Sequence, residues 1–377
     1  MRTRLTCILI CLLVILSGCT SETKNGISSN NENDYLYDLY VYSNGDVIST
    51  KIDLINEKTI KHESINNLGF KKKSQIVGTI EPSYKYNKVF CSIYRTGSIG
   101  SGKMGKKLVV LKDGNIDGEV KFENNIGPDR MICDDEKEKL YVLFVLQPSS
   151  YNPEGTPMKI VNTSNNQIIK SMNLKGCFSG YDFRDNYIYT TVSSATALGY
   201  KDLTNSYLAR INRDTNKIDI INKDFKYSPT DIKVWNNKLY MLNNYNPFEN
   251  EKDEHRILIF DLNGKYVNSV NIEPWSQSMI IDKNDLAYIN HIGKVSSGDF
   301  DGDTITVFDT NVDKVVGKIT GFTGCSGMAI QDDYLFVSNY QDSSISVVDI
   351  RSRKIIGNIK LGKGNRPEKI VVLKKKR

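Results

Sequence analysis

Three histidines, His62, His255 and His291, are all the imidazole chemistry this 377-residue chain has, and they stand far apart in sequence. His255 follows the acidic run Glu249–Glu254, and His291 closes the apolar run Leu286–Asn290. Acid–base or metal-assisted chemistry needs such a ring to converge with carboxylates, and the set to test is His291, Asp301 and Asp231. Asp299, Asp301 and Asp303 place carboxylates at alternate positions, the hard oxygen ligands a calcium ion takes. The segment lacks the length and closing glutamate of an EF-hand, and its Asp-Gly pair also suits an ordinary turn. Calcium is therefore the one cofactor put forward, with Asp299, Asp301 and Asp303 as its weak candidates. Gly97–Lys103 matches GxxxxGK, but Met104 stands where a magnesium-binding Ser or Thr belongs. An apolar run, Lys107–Leu111, follows it in place of the helix that phosphate cradling needs. Neither G-x-S-x-G nor H-E-x-x-H occurs. No catalytic set is assigned.

The N-terminus carries a different chemistry. Met1–Arg4 is a short cationic start, and Leu5–Leu16 is an apolar run of signal-peptide length. It is shorter than the roughly 20 residues of a transmembrane helix. Leu16–Cys19 (LSGC) resembles the lipobox of bacterial lipoproteins. That resemblance implies a signal peptide over 1–18 and diacylglycerol on the thiol of Cys19, which becomes the mature N-terminus. It also implies a protein anchored on the extracytoplasmic face of the cell membrane. An uncleaved anchor or an ordinary secretory signal are the alternatives.

Seven cysteines are present. With Cys7 and Cys11 in the signal and Cys19 acylated, Cys91, Cys133, Cys177 and Cys325 remain. Their scatter, without CxxC spacing, does not indicate zinc. Export permits disulfides, and four cysteines allow three full pairings. Small buried hydrophobes are the other reading, and no bridge is assigned.

Hydrophobic residues make up 39% of the chain and aromatics 10%, enough for a large core. The formal net charge of +6 falls to +4 without Arg2 and Arg4, and Lys374–Arg377 accounts for that remainder. The body is near neutral, which excludes the broad basic footprint of a nucleic-acid binder. Lys71–Lys73 and the tail suit either solvent or anionic headgroups near an anchor.

Residues 19–33 are polar and read as a flexible tether. From residue 34 to 377 the chain is a succession of strand-like runs with internal repetition. The last unit is Tyr334–Asn339, Ser344–Asp349 and Lys354–Leu361. Leu286–Asn290, Thr304–Asp309 and Lys314–Ile319 repeat it, as do Lys238–Asn243, Arg256–Asp261 and Tyr266–Val270. Weaker copies centre their third strands on Ala209–Asn212, Lys159–Asn162, Leu108–Lys112 and Lys51–Asp53. A period of roughly 40 to 60 residues is that of four-stranded propeller blades.

Phe336–Asn339, Ile345–Asp349, Ile355–Ile359 and Gly364–Pro367 resemble the YVTN-type β-propeller repeat. The resemblance implies architecture and brings no catalytic set. Pro367–Leu373 reads as the inner strand of a further blade, whereas the first unit, from Leu39, lacks one. The expected fold is an all-β, seven-bladed propeller closed by a C-terminal strand pairing into the N-terminal blade. Six or eight blades are the alternatives, because the boundary between Ile76 and Val89 is blurred.

In such a ring the connections between second and third strands share a face with those entering the inner strands. Five of them are long: Thr96–Lys106, Gln147–Pro157, Ser193–Asn205, Tyr245–Glu254 and Gly293–Gly302. Extended loops on one face mark a binding surface, or else drift in exposed turns. At the inner-strand entrances, Arg130, Asp231 and Lys369 fall in equivalent positions. Ser278, Met328 and Tyr181 are expected in the same slot. With His291, the residues Arg130, Asp231, Lys369 and Tyr181 are the candidate ligand-binding set. The expected function is that of a membrane-anchored binding or scaffold module for an envelope protein, peptide or glycan. A propeller lyase or hydrolase acting at the channel mouth is the alternative.

Overall fold

Short strand-forming runs, broken by Asn, Asp and Gly, fold into antiparallel hairpins, and the second strands such as Lys139–Phe144, Lys238–Asn243 and Tyr334–Asn339 are nearly continuous apolar runs buried on both faces. Their turns use side chains that tolerate the left-handed region, among them Asn44, Asn87, Asp185, Asn236 and Asp313. The computed structural model describes residues 35–54, 60–97, 103–123, 126–145, 148–193, 195–203, 206–227, 229–243, 255–293 and 300–376. The signal region 1–18, Cys19 and the tether 19–33 lie outside the described residues.

The strands form seven sheets, each built on four antiparallel strands, in a β-propeller. Blades are numbered here in chain order. The inner strands of blades 2 to 7 are Gln75–Ser83, Pro128–Asp134, Cys177–Arg184, Asp231–Trp235, Ser276–Ile281 and Cys325–Gln331. Blade 1 takes its inner strand from the far end of the chain. Pro367–Lys376 pairs antiparallel with Tyr35–Ser43, from Tyr35↔Lys376 to Ser43↔Pro367. The expected closure is therefore present, and the blurred segment Ile76–Val89 resolves into the inner strand and first hairpin of blade 2.

The core lies between blades. Each hydrophobic cluster straddles two neighbours, and one of them joins blade 7 to blade 1 through Phe336, Ile345 and Val347 against Tyr37, Leu39 and Val41. A deeper repeat explains the packing. Tyr40, Phe90, Tyr141, Tyr189, Tyr240, Tyr288 and Phe336 occupy one register position of the second strands, at intervals of about 50 residues. All are buried. Several extend across the seam: Gly114 N–H donates to Tyr40 Oη at 2.8 Å, and Tyr240 Oη donates to Thr310 O at 3.0 Å. Blades 1 to 4, whose repeats are faint in sequence, carry this aromatic as regularly as the rest. Among the expected loops, Thr96–Lys106 is partly strand, since Thr96↔Lys103 is a ladder pair and the third strand of blade 2 starts at Lys103.

Four apolar side chains of the closing strand, Ile370 to Leu373, are buried. At about 2 kcal/mol each they supply roughly 8 kcal/mol, comparable with the net stability of a whole domain. A chain ending at Lys363 is expected to lose its cooperative melt. A circular-dichroism transition at the parent temperature would show that closure is dispensable.

Candidate functional site

The inner strands aim alternate residues at the axis. In blade 5, Asp231, Lys233 and Trp235 are half-exposed while Ile232 and Val234 are buried. The register puts Arg130, Asp231, Ser278 and Lys369 on one level, opposite Leu143, Leu242, Asn290 and Tyr42. Met328 and Tyr181, expected on that level, sit one residue deeper, opposite Val337 and Thr190. Bulges between Phe178/Gly180 and Cys325/Met328 cause the shift. Glycine stands higher in both strands because neighbouring backbone leaves no room for a side chain. A Cβ on Gly180 would lie 2.9 Å from Ile232 N, and one on Gly327 would lie 2.2 Å from Glu368 O.

The axis holds an open cavity of about 540 Å³. One arc of its wall is charged. Lys369 Nζ donates to Glu81 Oε2 at 2.9 Å, Tyr181 Oη donates to Glu81 at 3.3 Å, and Lys233 Nζ donates to Asp231 Oδ1 at 3.2 Å. The structure thus brings Lys369 and Tyr181 together through Glu81, a residue the sequence analysis did not single out. Asp182 and Lys233 also belong to the wall and were not singled out. The carboxylates join neighbouring blades: Cys133 N–H donates to Glu81, Val234 N–H to Asp182, and Met279 N–H to Asp231. Burial raises the Asp182 pKa, with nearby Lys233 opposing. Burial alone would lower Lys233, but the Asp231 and Asp182 carboxylates outweigh it and hold the ammonium above its ordinary value. The other arc is apolar, formed by Ile280, Met328, Ala329 and Ile330. Arg130 is not part of this lining: it donates to Ser179 O at 2.8 Å and lines a separate hollow with Cys177 and Phe178.

His291 is buried in blade 6. Its Nδ1 pairs with Pro274 O at 2.9 Å and its Nε2 with Thr306 Oγ1 at 2.9 Å, so both ring nitrogens are engaged. Burial lowers its pKa. Thr304 Oγ1 donates to Asp303 at 2.7 Å, and Asp299 lies outside the described residues. Among the described residues no three His, Cys, Asp or Glu side chains gather as a metal site. Cys91, Cys133, Cys177 and Cys325 are free thiols, each with its pKa raised by burial.

The loop-bearing face is ordered where it is described. In the second-to-third-strand loops of blades 3 and 4, Ser149 N–H donates to Leu198 O at 2.8 Å and Tyr200 Oη to Asn152 O at 2.8 Å. Ala195 and Tyr200 are buried in the core beneath. Aromatic side chains stand on this face. Tyr151 is 81% exposed and Trp275 43%. Trp275 also holds a left-handed φ of 63°, a conformation that costs a bulky residue about 1–2 kcal/mol. Phe300 packs edge-on to Tyr340 at 4.6 Å, and the Arg366 guanidinium lies 5.2 Å from the Tyr340 ring. A separate hollow of about 390 Å³ between blades 1 and 2 is polar, and Lys375 bridges Asp38 and Asp113 at its edge.

No family model matches the sequence, and no curated protein resembles it significantly. Solved structures share its fold. A functionally unknown protein from Desulfotomaculum acetoxidans superposes with a TM-score of 0.60 at 12% identity, over 89% of this chain and 98% of its own. Apo AztD from Citrobacter koseri gives 0.55 at 13%, over 90% and 98%. Kuenenia stuttgartiensis hydrazine synthase gives 0.53 at 14%, over 74% and 77%. These neighbours are propeller proteins, and at such identities they establish architecture alone.

The lowered pKa of His291 has a signed consequence. Above the unfolded pKa of about 6.5 the neutral ring adds no penalty; below it the unfolded chain takes up a proton the folded ring resists. Stability is lost as pH falls through that window. Melting temperatures from pH 7.5 to 5 are expected to fall more steeply for the parent than for His291→Gln. Parallel profiles would rule this out.

Proposed function

We propose that this protein is an extracytoplasmic binding module, moored to the cell membrane by acylated Cys19 and engaging a protein, peptide or glycan through its loop-rich face. The observation that carries this reading is the row of aromatics on that face. Trp275, Tyr151 and the Phe300–Tyr340–Arg366 stack rise from several blades of one closed ring. Exposed Trp, Tyr and Arg on a fixed support are the residue types that dominate recognition. Support for the strained Trp275 comes from the shape of its neighbourhood: its carbonyl accepts from Ile292 N–H at 3.0 Å, and the His255 ring lies 6.3 Å away. The ring holds these loops in constant relation, so the mechanism is rigid display. The enzymatic reading needs an imidazole nitrogen open to substrate at the channel mouth. His291, its named candidate, has both nitrogens bonded to protein.

The anchor and the face are separable by experiment. Expressed in a bacterium, the parent is expected in the detergent phase of a Triton X-114 partition and Cys19→Ser in the aqueous phase. Equal partition of the two would remove the anchor. In capture from envelope membranes, Trp275→Ala combined with Tyr151→Ala is expected to lower partner recovery about tenfold or more, the scale of a lost hot spot. Undiminished recovery by a folded double variant would remove the loop face.

A further inference from the structure

The axial cavity is a second site, independent of the loop face, and its cations are more open than its acids: the side chains of Lys369 and Lys233 are 37% and 21% exposed, those of Glu81 and Asp231 10% and 15%. All three carboxylates of the charged arc are occupied by protein. Glu81 accepts from Cys133 N–H, Tyr181 and Lys369. Asp231 accepts from Ile232 N–H, Lys233 and Met279 N–H, and Asp182 from Phe183 N–H and Val234 N–H. The cations are less fully used. An ammonium has three donors and a guanidinium five. Among the described residues Lys369 meets Glu81 alone and Lys233 meets Asp231 and Ile232 O, while Arg130, outside this lining, meets Ser179 O. On the lining itself Glu81 and Asp182 balance Lys233 and Lys369, so the arc repels neither sign on net charge. Its most exposed spare valences are the ammonium N–H donors. They face the apolar arc of Ile280, Met328, Ala329 and Ile330 across a volume fit for a small organic molecule.

We infer that the channel binds a small carboxylate with an apolar tail, its carboxyl group on Lys369 and Lys233 and its tail against Met328, Ala329 and Ile280. A carboxylate meets ammonium donors with charge-assisted bonds, stronger than those of the water it displaces. The tail covers apolar wall that otherwise faces solvent. A neutral alcohol of equal length keeps the tail and loses the charge. A primary ammonium brings like charge to the two more exposed groups of the wall, Lys369 and Lys233.

The chain carries its own reporter. Trp235 lines this cavity, and the only other tryptophan is Trp275 on the loop face. In a Trp275→Phe background, Trp235 emission is titrated with hexanoate, hexanol and hexylammonium. Hexanoate is expected to saturate at about millimolar concentration, the reach of a ligand this small. Hexanol is expected to bind about tenfold more weakly, and hexylammonium not to saturate. Lys369→Gln should weaken hexanoate about tenfold, the loss of one charge-assisted bond, and leave hexanol unchanged. Ala329→Phe, which keeps every charge, should abolish both responses, and it carries the test alone if Lys369→Gln does not fold. Equal affinity for hexanoate and hexylammonium overturns the assignment. So does no saturable hexanoate response in the folded background protein, or a hexanoate response that survives Ala329→Phe. Partner capture by the loop face is read separately, so either proposal fails without the other.

Discussion

The pairing of Pro367–Lys376 with Tyr35–Ser43 does work that no other hairpin in the ring does, because its two strands come from opposite ends of the chain. Alternate side chains of the last strand feed different cores. Ile370 and Val372 enter the cluster shared with blade 7, while Val371 and Leu373 enter the cluster shared with blade 2. A single strand thus completes two of the blade interfaces. Without it, blade 1 would present an open inner edge to the axis and two half-built cores to water. Every other blade is a local hairpin sequence that depends on this joint only through its neighbours.

Around that joint the blades are sewn together by directional bonds as well as apolar contact. Near the axis, Glu81, Asp182 and Asp231 accept backbone N–H groups of the following blade. Farther out, Lys88 donates to Thr163 O, Lys238 to Asp313 and Tyr240 to Thr310 O. Buried Asp134 is held by the Arg213 guanidinium across the seam of blades 3 and 4. Apolar contact between sheets tolerates sliding, but a carboxylate on one backbone amide does not. These bonds fix the angle at which each blade presents its loops, which a display surface requires. The same bonds hold the acids of the channel, so the stability of the ring and the chemistry of its cavity share residues.

Much of the architecture was legible in the residues. The last three blades read directly from their recurring strands, and the closing strand from an inner-strand pattern with no blade of its own. Blades 1 to 4 were harder because their turns and outer strands vary. Their common signal was the aromatic at Tyr40, Phe90, Tyr141 and Tyr189, a single position conserved in type across blades because it fills the seam. The placement of Met328 and Tyr181 went astray by one residue, since a bulge leaves no mark in alternation except a small residue such as Gly180 or Gly327. Glu81, Asp182 and Lys233 were passed over, as lone charges in strands resemble solvated faces until the axis is known.

The sequence by itself determined that the chain is all-β, that its strands recur as blades, and where the ring joins. Those properties rest on local periodicity and on the chain's own order, which residue types record directly. Tertiary structure decided which polar groups share the channel, which of their bonds are already filled, and that His291 faces Pro274 and Thr306. His291 is held within blade 6, whereas the channel contacts join different blades, up to 288 positions apart for Lys369 and Glu81. Only closure of the ring brings them within the 3 Å over which a hydrogen bond acts.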